Sequence, residues 1–325
     1  MTATLDSSLP PAAAPTGAAF GHRLMPPGDP LAGAAFEEIY EAQIKPALIQ
    51  CEAGRKKAVW IFLGAFALAV ALVAAIFLLT PIIFDVQASF GLMAFIFGAI
   101  VLIGYVPLAG VGAAAKTACI RALCGPIGID YQPSGKTAPS FDTFLTLRLL
   151  PKPSSTYFSD FFSGRRGEID FSLCEARLSQ GEGKNRHTVF EGQIFRLAAT
   201  RRLDSTTVVL RNSGWLKRFE CPQGLRPVGL EDPVFNKTFS VFGSDQVEAR
   251  VILTPSFMQQ LNDLEAGYAG SHIRCAFEAT ELLIAVEGRS RFGIGNLFAN
   301  LVDRSRVEHI ARDIEQVFKM IDEFA

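Results

Sequence analysis

The chain has 325 residues, 49% of them hydrophobic and 19% charged, with 31 basic against 32 acidic residues and a formal net charge of −1. That balance supplies no basic field able to recruit nucleic acid by counterion release, so nucleic acid is excluded as a partner. The length leaves room for one sizeable domain beside the apolar stretches described below.

Residues 1–31 are rich in Ala, Pro, Ser and Gly. Such a segment buries too little surface to offset its ordering entropy, and a disordered tail is expected. A cytoplasmic helix is expected over 32–57. Phe36, Ile39, Tyr40, Ile44 and Leu48 share one stripe, and Glu37, Glu38 and Glu41 lie off it. Pro46 is expected to kink this helix or divide it. The stripe could pack on the C-terminal domain, lie on a membrane or pair with another copy.

Two uncharged apolar runs follow. The first covers 58–79 and continues past Thr80-Pro81 to Phe84; the second covers 90–111. At 1.5 Å per residue, roughly 20 residues cross a hydrocarbon core of about 30 Å. Residues 85–89 suffice only for a tight turn. The pattern predicts a two-helix transmembrane hairpin over 58–115. A signal peptide would be shorter and nearer the start, and a core hairpin would show polar positions at helical spacing. Arg55, Lys56 and Lys57 precede the first run, Lys116 and Arg121 follow the second, and the turn carries only Asp85. The positive-inside rule places the N- and C-termini in the cytoplasm. Ala67, Ala71 and Ala75, then Ala94 and Gly98, recur at the spacing that lets helices approach in lipid. The runs hold no charge, which fits an anchor better than a transport path.

Residues 116–123 extend the second helix, and Gly125-Pro126 ends it. A cytoplasmic α+β domain is expected over 126–325. Its first helix is 140–150, with Phe141, Phe144, Leu145 and Leu149 on one side. Strands are predicted at 168–178, 188–198, 206–210, 238–242, 249–253, 272–278 and 282–287. Thr254-Pro255 opens a helix running to about residue 266. The chain ends in a long helix over 297–324. Its seam of Val307, Ile310, Ile314, Val317 and Ile321 is widened by Ala311 and Phe318. A stripe that wide favours packing on a sheet over a two-stranded coiled coil. The fold class is α+β: a transmembrane helical hairpin, then a mostly antiparallel domain with a long C-terminal helix.

Motifs that carry chemistry are sparse. Gly135-Lys136-Thr137 resembles the end of a phosphate loop, but Asp130 stands where its first glycine is needed and Pro139 spoils the following helix. Gly293-x-Gly295 is followed by Phe298 where a third glycine belongs. Asn236-Lys237-Thr238 is a glycosylation sequon on the cytoplasmic side of the predicted topology. His22, His187, His272 and His309 are scattered without ligand spacing, and no nucleophile elbow is present. No catalytic, cofactor-binding or metal residue is assigned, and no cofactor. Cys119 and Cys124 lie just inside the predicted membrane, as inert helix positions or acylation sites; the cytoplasm keeps thiols reduced. Three basic doublets flank turns: Arg165-Arg166, Arg201-Arg202 and Lys217-Arg218. They are solvated loops or a membrane-surface contact, worth about 1 kcal/mol per charge at anionic headgroups.

The stretch Glu231-Asp232-Pro233-Val234-Phe235, then Phe239-Ser240-Val241, Asp245, and Glu248 through Leu253-Thr254-Pro255-Ser256-Phe257 resembles the bacterial membrane family known as domain of unknown function 3137. So does Val189-Phe190-Glu191-Gly192-Gln193-Ile194-Phe195. The likeness covers residues 35 to 290. It implies an N-terminal helix, two spans, the following domain and a bacterial inner membrane, and it brings no activity or site residues. Phe190, Phe195, Phe235, Phe239 and Phe257 are expected in the core, and Gly192 at a bulge or close backbone approach.

These readings converge on an integral inner-membrane protein whose cytoplasmic domain is a binding or scaffold module for a protein, a lipid headgroup or a small ligand. Expected partners are the lipid bilayer, a membrane or cytoplasmic protein, and another copy of the chain. The alternatives are a membrane-anchored enzyme with an unrecognised site and a channel or transporter component.

Overall fold

A computed structural model describes residues 33–83, 86–199, 202–212, 221–267, 272–288, 290, 292–293 and 297–323. The tail expected over 1–31 lies outside the described residues.

The chain begins with α1 (Gly33–Ile39), a π-turn (Tyr40–Ile44) and α2 (Lys45–Ile83). The Lys45 N–H reaches the Tyr40 carbonyl, five residues back. Pro46 is the second residue of α2. It cannot donate to the carbonyl four residues back, and the wider turn just before it absorbs that defect. A helix α3 (Val86–Cys124) returns antiparallel to α2, with Pro107 inside it. Both helices are long and apolar enough to cross a membrane, and only 6% and 11% of their most apolar windows are buried. Trp60, Leu68, Phe77, Phe95 and Ile103 face outward, as no core helix of a soluble protein would leave them. The pair approaches closely at Gly104, where a Cβ would lie 2.7 Å from that of Ala65. A Cβ at Gly98 would meet nothing within 4 Å, so that position is not the contact.

Among the described residues nine strands form one antiparallel sheet: β1 (Asp130–Ser134), β2 (Ser155–Arg166), β3 (Ile169–Gln180), β4 (His187–Ala198), β5 (Thr207–Arg211), β6 (Arg226–Val228), β7 (Phe239–Gly243), β8 (Ile273–Glu278) and β9 (Glu281–Glu287). Their order across the sheet is β1-β2-β3-β4-β9-β8-β5-β7-β6. Among the described residues the α-helices of the domain are α4 (Phe141–Thr146), α5 (Pro233–Thr238), α6 (Gln246–Ile252), α7 (Pro255–Gly267) and α8 (Arg304–Glu323).

The sheet is buried on both faces. One face presents Phe171, Leu173, Phe195, Leu282 and Ile284 to a helical layer, and Ile44, Leu48, Ile120, Leu123, Ile310 and Phe318 join that core. The other presents Phe190, Ile194 and Leu283 to Phe144 and Leu150, in and just after α4. The N-terminal stripe therefore packs on the C-terminal domain, and one core joins residues from both sides of position 126. Tyr40 donates to the Val302 carbonyl at 3.3 Å. Arg304 pairs with Glu37 at 2.8 Å and lies 5.7 Å from the Tyr40 ring centre.

The resemblance motifs resolve into helix starts and core. Asp232 accepts the N–H groups of Val234 and Phe235 and caps α5; Asp245 accepts those of Val247 and Glu248 and caps α6. Thr254 accepts the N–H of Phe257 at 3.2 Å at the start of α7. Each cap satisfies donors that an open helix end leaves orphaned. Phe190, Phe195, Phe235 and Phe239 are buried, and Phe257 packs on Phe277. At Gly192 a Cβ would lie 2.1 Å from the Val286 carbonyl, so the approach of β9 forbids any side chain.

Three expectations change. Residues 249–253 are not a strand, because the Asp245 cap turns them into α6. The helix expected over 140–150 closes after Thr146, with Arg148 in left-handed backbone at φ 57°. The last helix starts at Arg304, and residues 297–303 run as turns along α2 instead.

Candidate functional site

The site grows from an irregularity in β2. Ser159 pairs with Glu175 and Phe162 with Leu173, so Asp160 and Phe161 together oppose Cys174. This is a β-bulge, and Asp160 takes its left-handed conformation at φ 52°. The extra residue flips the parity of the strand. Before it, Phe158 faces the α4 side; after it, Phe162 faces the helical layer.

The bulge brings Asp160, 2% exposed, to α3. Its Oδ1 accepts from the Tyr131 hydroxyl at 2.6 Å, and its Oδ2 accepts from Lys116 Nζ at 2.7 Å. Lys116 follows the second apolar run directly, so this ion pair ties α3 to the sheet. Burial pushes the Tyr131 phenol well above its ordinary range, and the hydrogen bond and charge of Asp160 push it further. Tyr131 is thus a fixed donor, not a proton carrier.

A cavity of about 330 Å³ opens beside this trio. Ala113, Lys116 and Thr117 of α3 form one wall, and Glu175, Arg177 and Glu191 of β3 and β4 form the other. Ser290 donates to Glu175 at 2.7 Å, and Arg177 pairs with Glu191. Across from Glu175 in register stands Gln193, 3% exposed, whose amide N and O have no protein partner. Both signs of charge converge at the end of a membrane-length helix. The carboxylates of Asp160, Glu175 and Glu191 are each engaged by a donor, which suits holding a polar molecule better than moving protons. A second cavity, about 470 Å³ at β6 and β7, is lined among the described residues by Val228, Phe239, Phe242 and their neighbours and by no charged side chain.

Arg165 pairs with Asp170 at 2.7 Å, and Arg166 pairs with Asp322 and lies 5.0 Å over the Phe318 ring. Arg202 is exposed. Arg201, Lys217 and Arg218 lie outside the described residues. Among the described residues no group of three or more His, Cys, Asp or Glu is placed to hold a metal ion. Sequence reasoning missed Asp160 and Lys116 as partners. The available signal was an acid inside an aromatic run, Tyr157-Phe158-Ser159-Asp160-Phe161-Phe162, where a regular strand would expose it.

Residues 188–325 match the model of a family described as "Protein of unknown function (DUF3137)", which bears out the family read from the motifs over that part of the chain. No curated protein matches the sequence. One solved structure is similar: the crystal structure of the mycobacterial trehalose monomycolate transport factor A, TtfA. It shares 10% identity at a TM-score of 0.31, over 63% of this chain and 95% of that one. A likeness that weak carries neither fold nor activity across.

Proposed function

We propose that this chain, whose C-terminal part matches a family without an assigned activity, is a membrane-anchored binding module. In this reading it lies in a bacterial inner membrane with both ends of the hairpin in the cytoplasm. Its sheet domain receives a charged polar ligand, such as a lipid headgroup, in the cavity between α3 and β3–β4. The position and lining of that cavity carry the reading. Its α3 wall starts at Ala113, just past the second apolar run, so a molecule at headgroup depth meets it directly. Lys116 and Arg177 suit an anionic group, and Glu175 and Glu191 suit an ammonium group. Gln193 adds an unpartnered buried amide beside Glu175.

The test is native mass spectrometry of the full-length protein released from nanodiscs of phosphatidylethanolamine and phosphatidylglycerol. The wild-type chain should retain lipid molecules that the Arg177→Gln and Glu175→Gln variants lose while unfolding at nearly the same temperature. Equal retention by all three would overturn the assignment of this cavity.

A further inference from the structure

We infer that residues 297–299 form a second membrane-contact element, a turn that seats Phe298 in the interfacial layer of the leaflet beside α2. The inference rests on the hairpin spanning a membrane and is independent of the ligand cavity.

The turn is pinned by its backbone. Arg55 Nη1 donates to the Phe298 carbonyl at 2.9 Å, and Glu52 Oε2 accepts the Leu301 N–H at 3.1 Å. Glu52 and Arg55 are themselves paired at 2.6 Å on α2. These two backbone groups are therefore satisfied within the protein, which is the condition for irregular chain near hydrocarbon. Leu297 fills the space beside Gly112 of α3, where a Cβ would lie 2.3 Å from its Cδ2.

The Phe298 side chain reaches past this clamp. Its ring centre is 5.4 Å from that of Phe62, edge to face at 63°. Phe62 lies four residues into the first apolar run, which sets Phe298 roughly 6 Å beyond the start of the run at 1.5 Å per residue. Phe298 remains 47% exposed. Its surroundings at that level are the outward faces of Trp60 (75% exposed), Ile61 and Leu63 on α2 and Tyr105 on α3. Trp and Tyr gather where one end of a side chain is apolar and the other wet. Lys56 and Lys57 are exposed just before this level, where anionic headgroups would lie. Phe298 thus packs on Phe62, which is itself partly exposed on the apolar run, so lipid that covers the hairpin at this level also meets the turn.

The experiment uses the full-length chain with Trp60→Phe and Trp215→Phe, adding one tryptophan at a time by Phe298→Trp, Leu68→Trp or Val247→Trp. Each is reconstituted into vesicles of phosphatidylcholine and phosphatidylglycerol carrying bromine near the headgroup or near the chain end. Phe298→Trp should emit at shorter wavelength than Val247→Trp and lose intensity to the shallow bromine more than to the deep one. Leu68→Trp should lose intensity to the deep bromine and Val247→Trp only to aqueous iodide. Quenching of Phe298→Trp by iodide and not by bromolipid would overturn the inference, and so would access by neither quencher, the result expected if a second copy covers the turn. If Leu68→Trp also escapes bromolipid, the spanning reading itself fails, which separates the two failures. Should Phe298→Trp not fold, Phe298→Cys carrying a polarity-sensitive dye, with Cys51→Ser and Cys221→Ser, reads the same depth by its emission shift.

Discussion

Glu52 on α2 accepts the backbone N–H of Leu301, 249 residues further along the chain, at 3.1 Å. The same carboxylate is bound by Arg55 and is 8% exposed. Glu52→Ala leaves a half-buried guanidinium and a backbone N–H without their acceptor. A loss of about 1–3 kcal/mol is expected, read as a lowered thermal midpoint of the full-length protein in detergent. Glu52→Ala with Arg55→Ala should cost less than the sum of the two single changes, because they remove one shared interaction.

Asp160 separates backbone strain from charge pairing. Asp160→Asn keeps a residue that tolerates left-handed backbone and can still accept from Tyr131. Asp160→Ala leaves Tyr131 and Lys116 without their acceptor in a backbone conformation alanine disfavours. Asp160→Ala should destabilise by roughly 2–3 kcal/mol and Asp160→Asn by clearly less. Chemical unfolding monitored by circular dichroism orders the two.

Tyr131 makes a pH prediction. Its folded-state pKa is raised, mainly by burial. Its contribution to stability is therefore complete below the unfolded value of about 10 and is lost as pH rises above it toward the folded pKa. In the native protein at about pH 11, Tyr131→Phe should not reduce the phenolate absorbance, although it removes a tyrosine. After unfolding at the same pH it should reduce it.

Ile44, in the π-turn, is fully buried against the sheet domain. Ile44→Ala should cost about 2–5 kcal/mol, as much as a central strand position. A fragment of 126–325 lacks Ile44, Leu48, Ile120 and Leu123 and exposes the surface they cover. It should unfold less cooperatively than the full chain and associate in solution, measured by sedimentation and denaturant titration.

Cys174 and Cys275 are fully buried, and burial raises both thiols. Neither should react with a bulky maleimide in folded protein on either side of a membrane. Topology is therefore tested with an introduced thiol. Gln87→Cys should label in intact spheroplasts if the turn faces outward, and protection there would reverse the proposed orientation.

Much of the fold was legible because it follows a single period. The hairpin announces itself by uncharged length, β3 and β4 by alternation, and β5, β7, β8 and β9 as short strand-like runs. The stripe of α8 was readable from Val307 to Ile321, though not its start, because residues 297–303 are held by α2 and not by their own pattern. β2 was missed for a physical reason. The bulge at Asp160 reverses its inward parity halfway, so Phe158 and Phe162 share a spacing and not a face. The same bulge builds the site. Lys116 read as a topology charge and Asp160 as one acid among many, since no local rule pairs residues 44 positions apart. α6 was misread because a short helix has too few turns to show its period, leaving the Asp245 cap as its only signal.

The helix α3 runs unbroken through 39 residues, from within the apolar hairpin to Cys124, and grips the sheet through Lys116. Pro107 removes one backbone hydrogen bond from it without ending the helix, and a continuous helix transmits torque. Each residue of register is about 100° around its axis, so a small twist between α2 and α3 would swing the Lys116 ammonium off Asp160. The lysine would move toward the opening of the cavity while the carboxylate stayed fixed in its bulge. Rotation within the apolar hairpin and occupancy of the cavity would then share one mechanical degree of freedom.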